Sequence, residues 1–242
     1  MRFVPPKPGS SRSTRLCIDR LRRGAAERET YTGIWLPEPL FGESSPAPDE
    51  QVELASNLSM AFMILLERLA PTERAAFLLR DVFDCPYSEI ARIIGKSETA
   101  CRQIVSRARD RVRRDQPRFE ASEEDRRRLI EKFAAAIDAD DEQALLALFA
   151  VDATITSDGG GKVPAARNLV RGAERLTRLF LTVARKLQGR VTRSLLTING
   201  EPGLVTFVDG RPVSALSFVT DGARIYALYN VLNPDKLKQI EE

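Results

Sequence analysis

Arg102, Arg107, Arg109, Arg111, Arg113 and Arg114 crowd one short stretch of the chain. A guanidinium is a planar fork that donates paired hydrogen bonds to phosphates and to base edges. A second basic group, Arg12, Arg15, Arg20, Arg22, Arg23 and Arg28, lies near the start, and Glu38 to Glu53 between them carries only acidic charges. The formal net charge of +3 hides this unevenness. Clusters of this kind suit a polyanion, or they are a solvated helix face; charge alone leaves both open. Other chemistries are excluded by composition. The chain has no histidine, which removes the commonest general base and metal ligand, and with them a Ser-His-Asp triad or an ordinary zinc site. Cys17, Cys85 and Cys101 form no CxxC pair, which argues against a disulfide framework and fits a reducing cytoplasm. No metal or cofactor is expected. The glycine run Asp158-Gly159-Gly160-Gly161-Lys162 lacks the spacing and the Lys-Ser/Thr ending of a phosphate loop.

The elements that must position these residues follow from periodicity. Thr14–Arg28 is expected to form a basic amphipathic helix burying Leu16, Ile18 and Leu21. Ile34–Leu40 must be extended, because Pro37 and Pro39 bracket Glu38. Gly42–Pro48 follows as a turn-like stretch. The sole tryptophan, Trp35, is expected to pack on its own chain rather than on a partner. Helices are expected at Leu54–Leu69, Pro71–Phe83, Tyr87–Ile94 and Glu98–Arg114, then, after Gln116-Pro117, at Arg126–Ala139 and Glu142–Phe149 with Ser122 as an N-cap. The texture changes after Ala150: a short strand at Ala153–Ser157, a helix at Arg171–Leu187, and alternating apolar runs from Val191 to Leu232. Turns at Asn199-Gly200, Asp209-Gly210 and Asp221-Gly222 mark an antiparallel meander. The fold class is therefore α + (α+β). No apolar run approaches the roughly 20 residues that span a bilayer, and Met1–Ser11 is not a signal peptide.

Tyr87–Val105 has the parts of a helix-turn-helix. Ala91 is small where two helices cross, Gly95 tolerates the positive φ of the turn, and Ser97 can cap the second helix. Ile90, Ile94, Cys101, Ile104 and Val105 would fill the shared core. Ser97, Glu98, Thr99, Arg102, Gln103, Ser106 and Arg107 are then placed to meet base edges, and Arg109, Arg113 and Arg114 to meet phosphates. A plain bundle with a basic surface is the competing possibility. The register of small residue, glycine, cap and basic helix favours DNA.

Leu69–Phe83, Tyr87–Ala91 and Ser106-Arg107-Ala108-Arg109 resemble region 4 of extracytoplasmic-function sigma factors. That resemblance implies −35 promoter recognition and docking on RNA polymerase. The SigJ-like subgroup, with a fused C-terminal SnoaL-like (NTF2-like) domain, fits further. Its marks are a Trp-Leu-Pro-Glu-Pro linker, an Asp-Gly-Gly-Gly-Lys loop and a late Asn-Pro-Asp-Lys-Leu, present here as Trp35–Pro39, Asp158–Lys162 and Asn233–Leu237. The expected organisation is a region 2 remnant at 1–30, a Pro-rich linker at 31–51, region 4 at 52–116 and an NTF2/SnoaL-like α+β cone at 122–242. Only the last helix of region 2 is recognisable, at Arg15–Arg22, so this chain is not expected to initiate transcription alone.

NTF2-like cones also host enzymes that set acidic and tyrosine side chains in an apolar pocket. Asp152, Asp158, Tyr226 and Tyr229 are the candidates for such chemistry, but a fold does not grant an activity. Asp158 is expected in a loop, and the protein is not expected to be an enzyme. The resemblance implies instead a regulatory interface of Trp35, Leu36, Pro37, Glu38 and Pro39 with Asp158, Gly159, Gly160, Gly161, Lys162, Asn233, Pro234 and Asp235, in which Lys162 would pair with Glu38. Two function classes stay open: a sigma-type DNA-binding regulator restrained by its own cone, and a small-molecule-binding or enzymatic cone with an accessory DNA module.

Overall fold

Pro71 opens a helix where its missing N–H costs nothing, and the Glu73 side chain turns back to accept the Ala70 N–H at 3.1 Å. The computed structural model that shows this describes residues 19, 23, 24, 26, 28–41, 59–115, 121–187 and 189–240. They fall into two units: one from Met1–Thr30 with Ile64–Gln116, the other from Tyr31–Met63 with Pro117–Glu242. Leu16, Ile18 and Leu21, the expected buried side of the first helix, lie outside the described residues, as does Gly42–Pro48.

The helical elements of the first stretch are α1 (Met60–Glu67), α2 (Pro71–Asp81), α3 (Tyr87–Ile94) and α4 (Glu98–Asp115). Gly95 takes φ 68° and ψ 39°, and its N–H returns to the Ala91 carbonyl, so the chain turns sharply between α3 and α4. Ser97 Oγ accepts the Ala100 N–H at 3.2 Å and caps α4. The core joins Ala75, Ala76 and Leu79 of α2 to Ile90 and Ile93 of α3 and to Cys101, Ile104 and Val105 of α4. Ile94, expected inside, sits at the margin, and Ile93 takes its place. Ile90 and Ile93 are one helical turn apart, which sets the phase of the short helix. Glu67 is gripped by Arg74, through two hydrogen bonds of 2.5 and 2.7 Å, and by Arg28 at 2.8 Å.

In the second unit Ser122 caps α5 (Glu123–Asp138) by accepting the Asp125 N–H at 3.1 Å. Asp141 caps α6 (Glu142–Leu148) in the same way. Six strands then form one sheet: β1 (Phe149–Asp158), β2 (Val170–Arg171), β3 (Val191–Ile198), β4 (Glu201–Val208), β5 (Arg211–Thr220) and β6 (Ile225–Val231), in the order β2-β1-β6-β5-β4-β3. Helix α7 (Ala173–Lys186) lies between β2 and β3 in the chain. The Asn199-Gly200 and Asp209-Gly210 hairpins form as expected, with φ near 50° at Asn199 and Asp209.

Three expectations need correction. The meander β3 to β6 is antiparallel throughout, but the whole sheet is mixed rather than antiparallel, because β1 runs parallel to β6. β1 is longer than Ala153–Ser157, since Phe149 already faces the core and Asp158 ends the strand rather than standing in a loop. The helix expected from Arg171 starts at Ala173; Val170 and Arg171 instead pair with Ile155 and Thr154. The cone interior is packed with aromatic rings. Phe133 stands edge-on to Phe149, Phe180 and Phe218 at 6.1, 5.0 and 5.3 Å between centroids. The architecture is an all-helical domain with a helix-turn-helix and an α+β domain built on the six-stranded sheet, as the α + (α+β) class requires.

Candidate nucleic-acid interface and linker clamp

Helix α4 buries Cys101, Ile104, Val105, Ala108 and Val112, a spacing of three and four that turns one face inward. Ser97, Glu98, Thr99, Arg102, Gln103, Ser106, Arg107 and Arg113 are all exposed. By that phase Thr99, Arg102, Gln103, Ser106 and Arg113 lie opposite the core, Arg107 lies on one flank, and Ser97 and Glu98 stand at the N-terminal end of the helix. Their charges are not equally free. Arg102 is 3.3 Å from Glu98, one turn back, and its guanidinium lies 5.1 Å above the Tyr87 ring. Arg80 lies 5.3 Å from the same ring and also pairs with Asp84 at 2.7 Å. Arg111 pairs with Glu73 at 2.8 Å. Among the described residues, Arg107, Arg113 and Arg114 carry no ion pair.

Arg109 departs from the expected pattern. Its Nε is 3.0 Å from both carboxylate oxygens of Asp81, and a further bond joins its terminal nitrogen to the same group. The pair ties α4 to α2, so the fork that was expected to reach a phosphate is already filled.

The second cluster is built around Asp158. This carboxylate is fully buried at the end of β1. Burying a charge without partners is very costly, and here every oxygen is served. Oδ1 accepts from the Tyr31 hydroxyl at 2.6 Å and the Gly160 N–H at 3.0 Å. Oδ2 accepts from the Leu36 N–H at 2.9 Å and the Lys236 ammonium at 2.7 Å. Lys236 also donates to the Leu36 carbonyl, and lies 4.5 Å from the Trp35 ring centroid and 5.0 Å from that of Tyr31. Asn233 donates to the Tyr31 hydroxyl at 2.8 Å. Burial and the hydrogen bond to Asp158 push the Tyr31 hydroxyl pKa above its ordinary value, so Tyr31 stays a neutral donor.

Trp35, Leu36, Pro37, Glu38 and Pro39 are thereby laid along the C-terminal unit. Leu36, Pro37 and Pro39 are buried and Glu38 points outward. Leu40 is tied at both backbone atoms, its N–H to Asn199 Oδ1 at 2.7 Å and its carbonyl to the Asn199 N–H at 2.8 Å, and Phe41 bridges Ile198. The glycine run is explained by closeness. A Cβ on Gly160 would sit 2.3 Å from Asn233 Nδ2, and one on Gly161 would sit 2.9 Å from Thr32.

Lys162 does not meet Glu38. It pairs with Asp235, which Lys238 also approaches at 2.9 Å, and Glu38 has no ion pair among the described residues. Pro234 and Asp235 belong to a short 3₁₀ turn capped by Asn233. Hydrogen bonds from Lys162, then Lys238, hold the Asp235 carboxyl down to about 2. Sequence reasoning missed three residues. Lys236 lay inside the Asn-Pro-Asp-Lys-Leu motif but was not singled out, Asn199 was read only as a turn residue, and Tyr31 carried no signal.

Asp158 has four donors, the Tyr226 hydroxyl donates to Asp221 at 2.9 Å, and Asp152 is exposed. Among the described residues, no group of His, Cys, Asp and Glu is arranged to hold a metal ion, and no helix is long and apolar enough to cross a membrane.

The chain is similar to known proteins. The family model for sigma-70 region 4 matches residues 59–112. The ECF RNA polymerase sigma factor SigJ of Mycobacterium tuberculosis is 37% identical over 236 residues, covering 92% of this chain and 75% of that one. The probable ECF sigma factor SigI of the same organism is 28% identical, over 93% of this chain and 76% of its own. The crystal structure of M. tuberculosis SigJ superposes with a TM-score of 0.72 and 33% identity, covering 98% of this chain and 84% of that one.

Proposed function

The chain belongs to the extracytoplasmic-function sigma factors, regulators of transcription whose region 4 binds promoter DNA and RNA polymerase, and we propose that its own region 4 reads the −35 element with the exposed face of α4. In this reading Ser97, Glu98, Thr99, Arg102, Gln103, Ser106 and Arg107 meet base edges, and Arg113 and Arg114 meet phosphates. Arg109 positions α4 through Asp81 rather than touching DNA. The observation that carries the reading is that Thr99, Arg102, Gln103, Ser106 and Arg113 are exposed on the side of α4 opposite its apolar core.

The SnoaL-like domain modulates that binding through the linker. Asp158, Lys236, Tyr31 and Asn233 hold Trp35 and Leu36, and Asn199 holds Leu40, so the stretch leading toward region 4 is fixed on the cone. A small-molecule or catalytic role for the cone is not favoured, because its interior is filled by phenylalanine rings and its buried carboxylate has no free lone pair for a substrate.

The test is binding to a −35-type duplex over a salt series. Tight, salt-dependent binding that falls about tenfold or more in Arg102→Ala supports the assignment. Equal affinity of wild type and Arg102→Ala across sequences would overturn it.

A further inference from the structure

The stretch from Val163 to Arg193 holds eight arginines and lysines against one acidic residue, Glu174. That is an excess of seven positive charges in a chain whose formal net charge is +3. Part of it is accounted for internally. Arg185 pairs with Asp140 at 2.9 Å, and Arg190 and Arg193 pair with Asp209 and Asp138. Lys186, in the last turn of α7, complements the negative end of the helix dipole.

Arg167, Arg171, Arg175 and Arg178 have no such explanation. All four are exposed, and among the described residues none has an ion-pair partner. Helix α7 buries Leu176, Thr177 and Leu181. At 100° per residue, Arg175 and Arg178 fall away from that side, and Arg171, at the end of the edge strand β2, is exposed just before the Gly172 cap. One of these charges also sits at the wrong end of the helix. Arg175 lies in the first turn, where the dipole is positive and a cation is destabilising. Unpaired guanidinium groups close together in the chain, Arg171 on β2 and Arg175 and Arg178 on the helix that follows, one of them at a cost to that helix, are a surface for an extended anion rather than a stability device.

We infer that the Arg171–Arg175–Arg178 face of the SnoaL-like domain is a second, sequence-independent contact to the phosphate backbone of duplex DNA. Duplex DNA presents a charge about every 1.7 Å along its axis, so a cluster of cations meets phosphates without a special register. The partner is DNA rather than an acidic protein segment because the same chain carries a DNA-reading helix, which raises the local concentration of duplex for the domain tethered to it.

The experiment uses the full chain and a duplex that lacks any −35-type sequence, so its outcome is independent of the base-reading assignment to α4. The triple variant Arg171→Gln/Arg175→Gln/Arg178→Gln is compared with wild type across a salt series. The slope of log K against log salt is expected to shrink by about 2 to 3, roughly 0.9 for each phosphate no longer neutralised, and affinity at moderate salt is expected to fall about tenfold or more. The ratio of promoter to non-promoter affinity stays unchanged. The matching triple lysine variant keeps the charge and is expected to retain the wild-type slope, which separates charge from damage to the fold. An unchanged slope in the glutamine variant overturns the inference. So does a gain in affinity, which would mean that the cluster holds the chain's own acidic stretch from Glu38 to Glu53.

Discussion

The outer face of α4 and the Asp158 cluster use the same chemical groups to opposite ends. On α4, Arg107, Arg113 and Arg114 stand in water with no ion pair among the described residues. At Asp158, one buried carboxylate is matched donor for donor by a hydroxyl, two backbone amides and an ammonium. An exposed charge contributes little to stability and is free to bind a partner. A buried one is expensive unless fully paired, so it specifies a single arrangement of whatever pairs with it. Here two of the four donors, the Tyr31 hydroxyl and the Leu36 N–H, belong to the linker, and the buried charge becomes a lock.

The largest expected effect is on the lock. Lys236→Met removes the ammonium and leaves Asp158 buried and uncompensated, at a cost of about 3 to 5 kcal/mol. The linker is expected to leave the cone, seen as a red shift and greater quencher access of the single tryptophan, Trp35. Arg107→Ala on α4 is expected to change thermal stability by no more than about 0.5 kcal/mol. Comparable losses from both would erase the distinction between the two regions. Next comes Gly160→Ala, whose Cβ would press on Asn233 at a φ of +59°. A loss of about 1 to 3 kcal/mol in denaturant unfolding is expected.

Arg102→Ala sharpens the comparison from the other side, with about 1 to 3 kcal/mol of promoter-binding energy lost and the melting temperature unchanged. Tyr87→Leu is a milder form of the same test. It keeps an apolar residue at the start of α3 but removes the ring that orients Arg80 and Arg102, and DNA affinity is expected to fall by about 0.5 to 1 kcal/mol.

The smallest effect is a pH step. The Asp235 carboxyl is held at about 2 in the folded chain, below its unfolded value of about 3.9. A depressed carboxyl contributes stability that is present above about pH 4 and is lost as the pH falls toward about 2. Melting curves over that window are expected to show this loss in wild type and a smaller one in Asp235→Asn.

The helical domain was largely legible in the sequence because its constraints are local. Ala91, Gly95 and Ser97 each answer to backbone geometry within a few residues, and Ser122, Asn199-Gly200 and Asp209-Gly210 are equally local signals. Where the structure departs from expectation, the deciding contact is long-range. The parallel pairing of β1 with β6 joins Ser157 to Asn230, and no turn residue announces it. The pairing of Arg171 with Thr154 overrides a helical pattern in the same way. The lock shows both cases. Its three motifs were visible, but Tyr31 lies 127 residues from the carboxylate it serves, and Lys236 rather than Lys162 makes the buried pair. Lys162 and Lys236 look alike in sequence; only burial tells them apart, at 51% and 12% side-chain exposure.

In the proposed mechanism the linker lock on the cone governs how region 4 meets DNA. The most direct test measures the affinity of the full chain and of Lys236→Met for one −35-type duplex at fixed salt, with Trp35 emission recorded on the same samples. Emission is expected to report a released linker, and affinity is expected to rise several-fold as the restraint is removed. A released linker with unchanged affinity would contradict the mechanism.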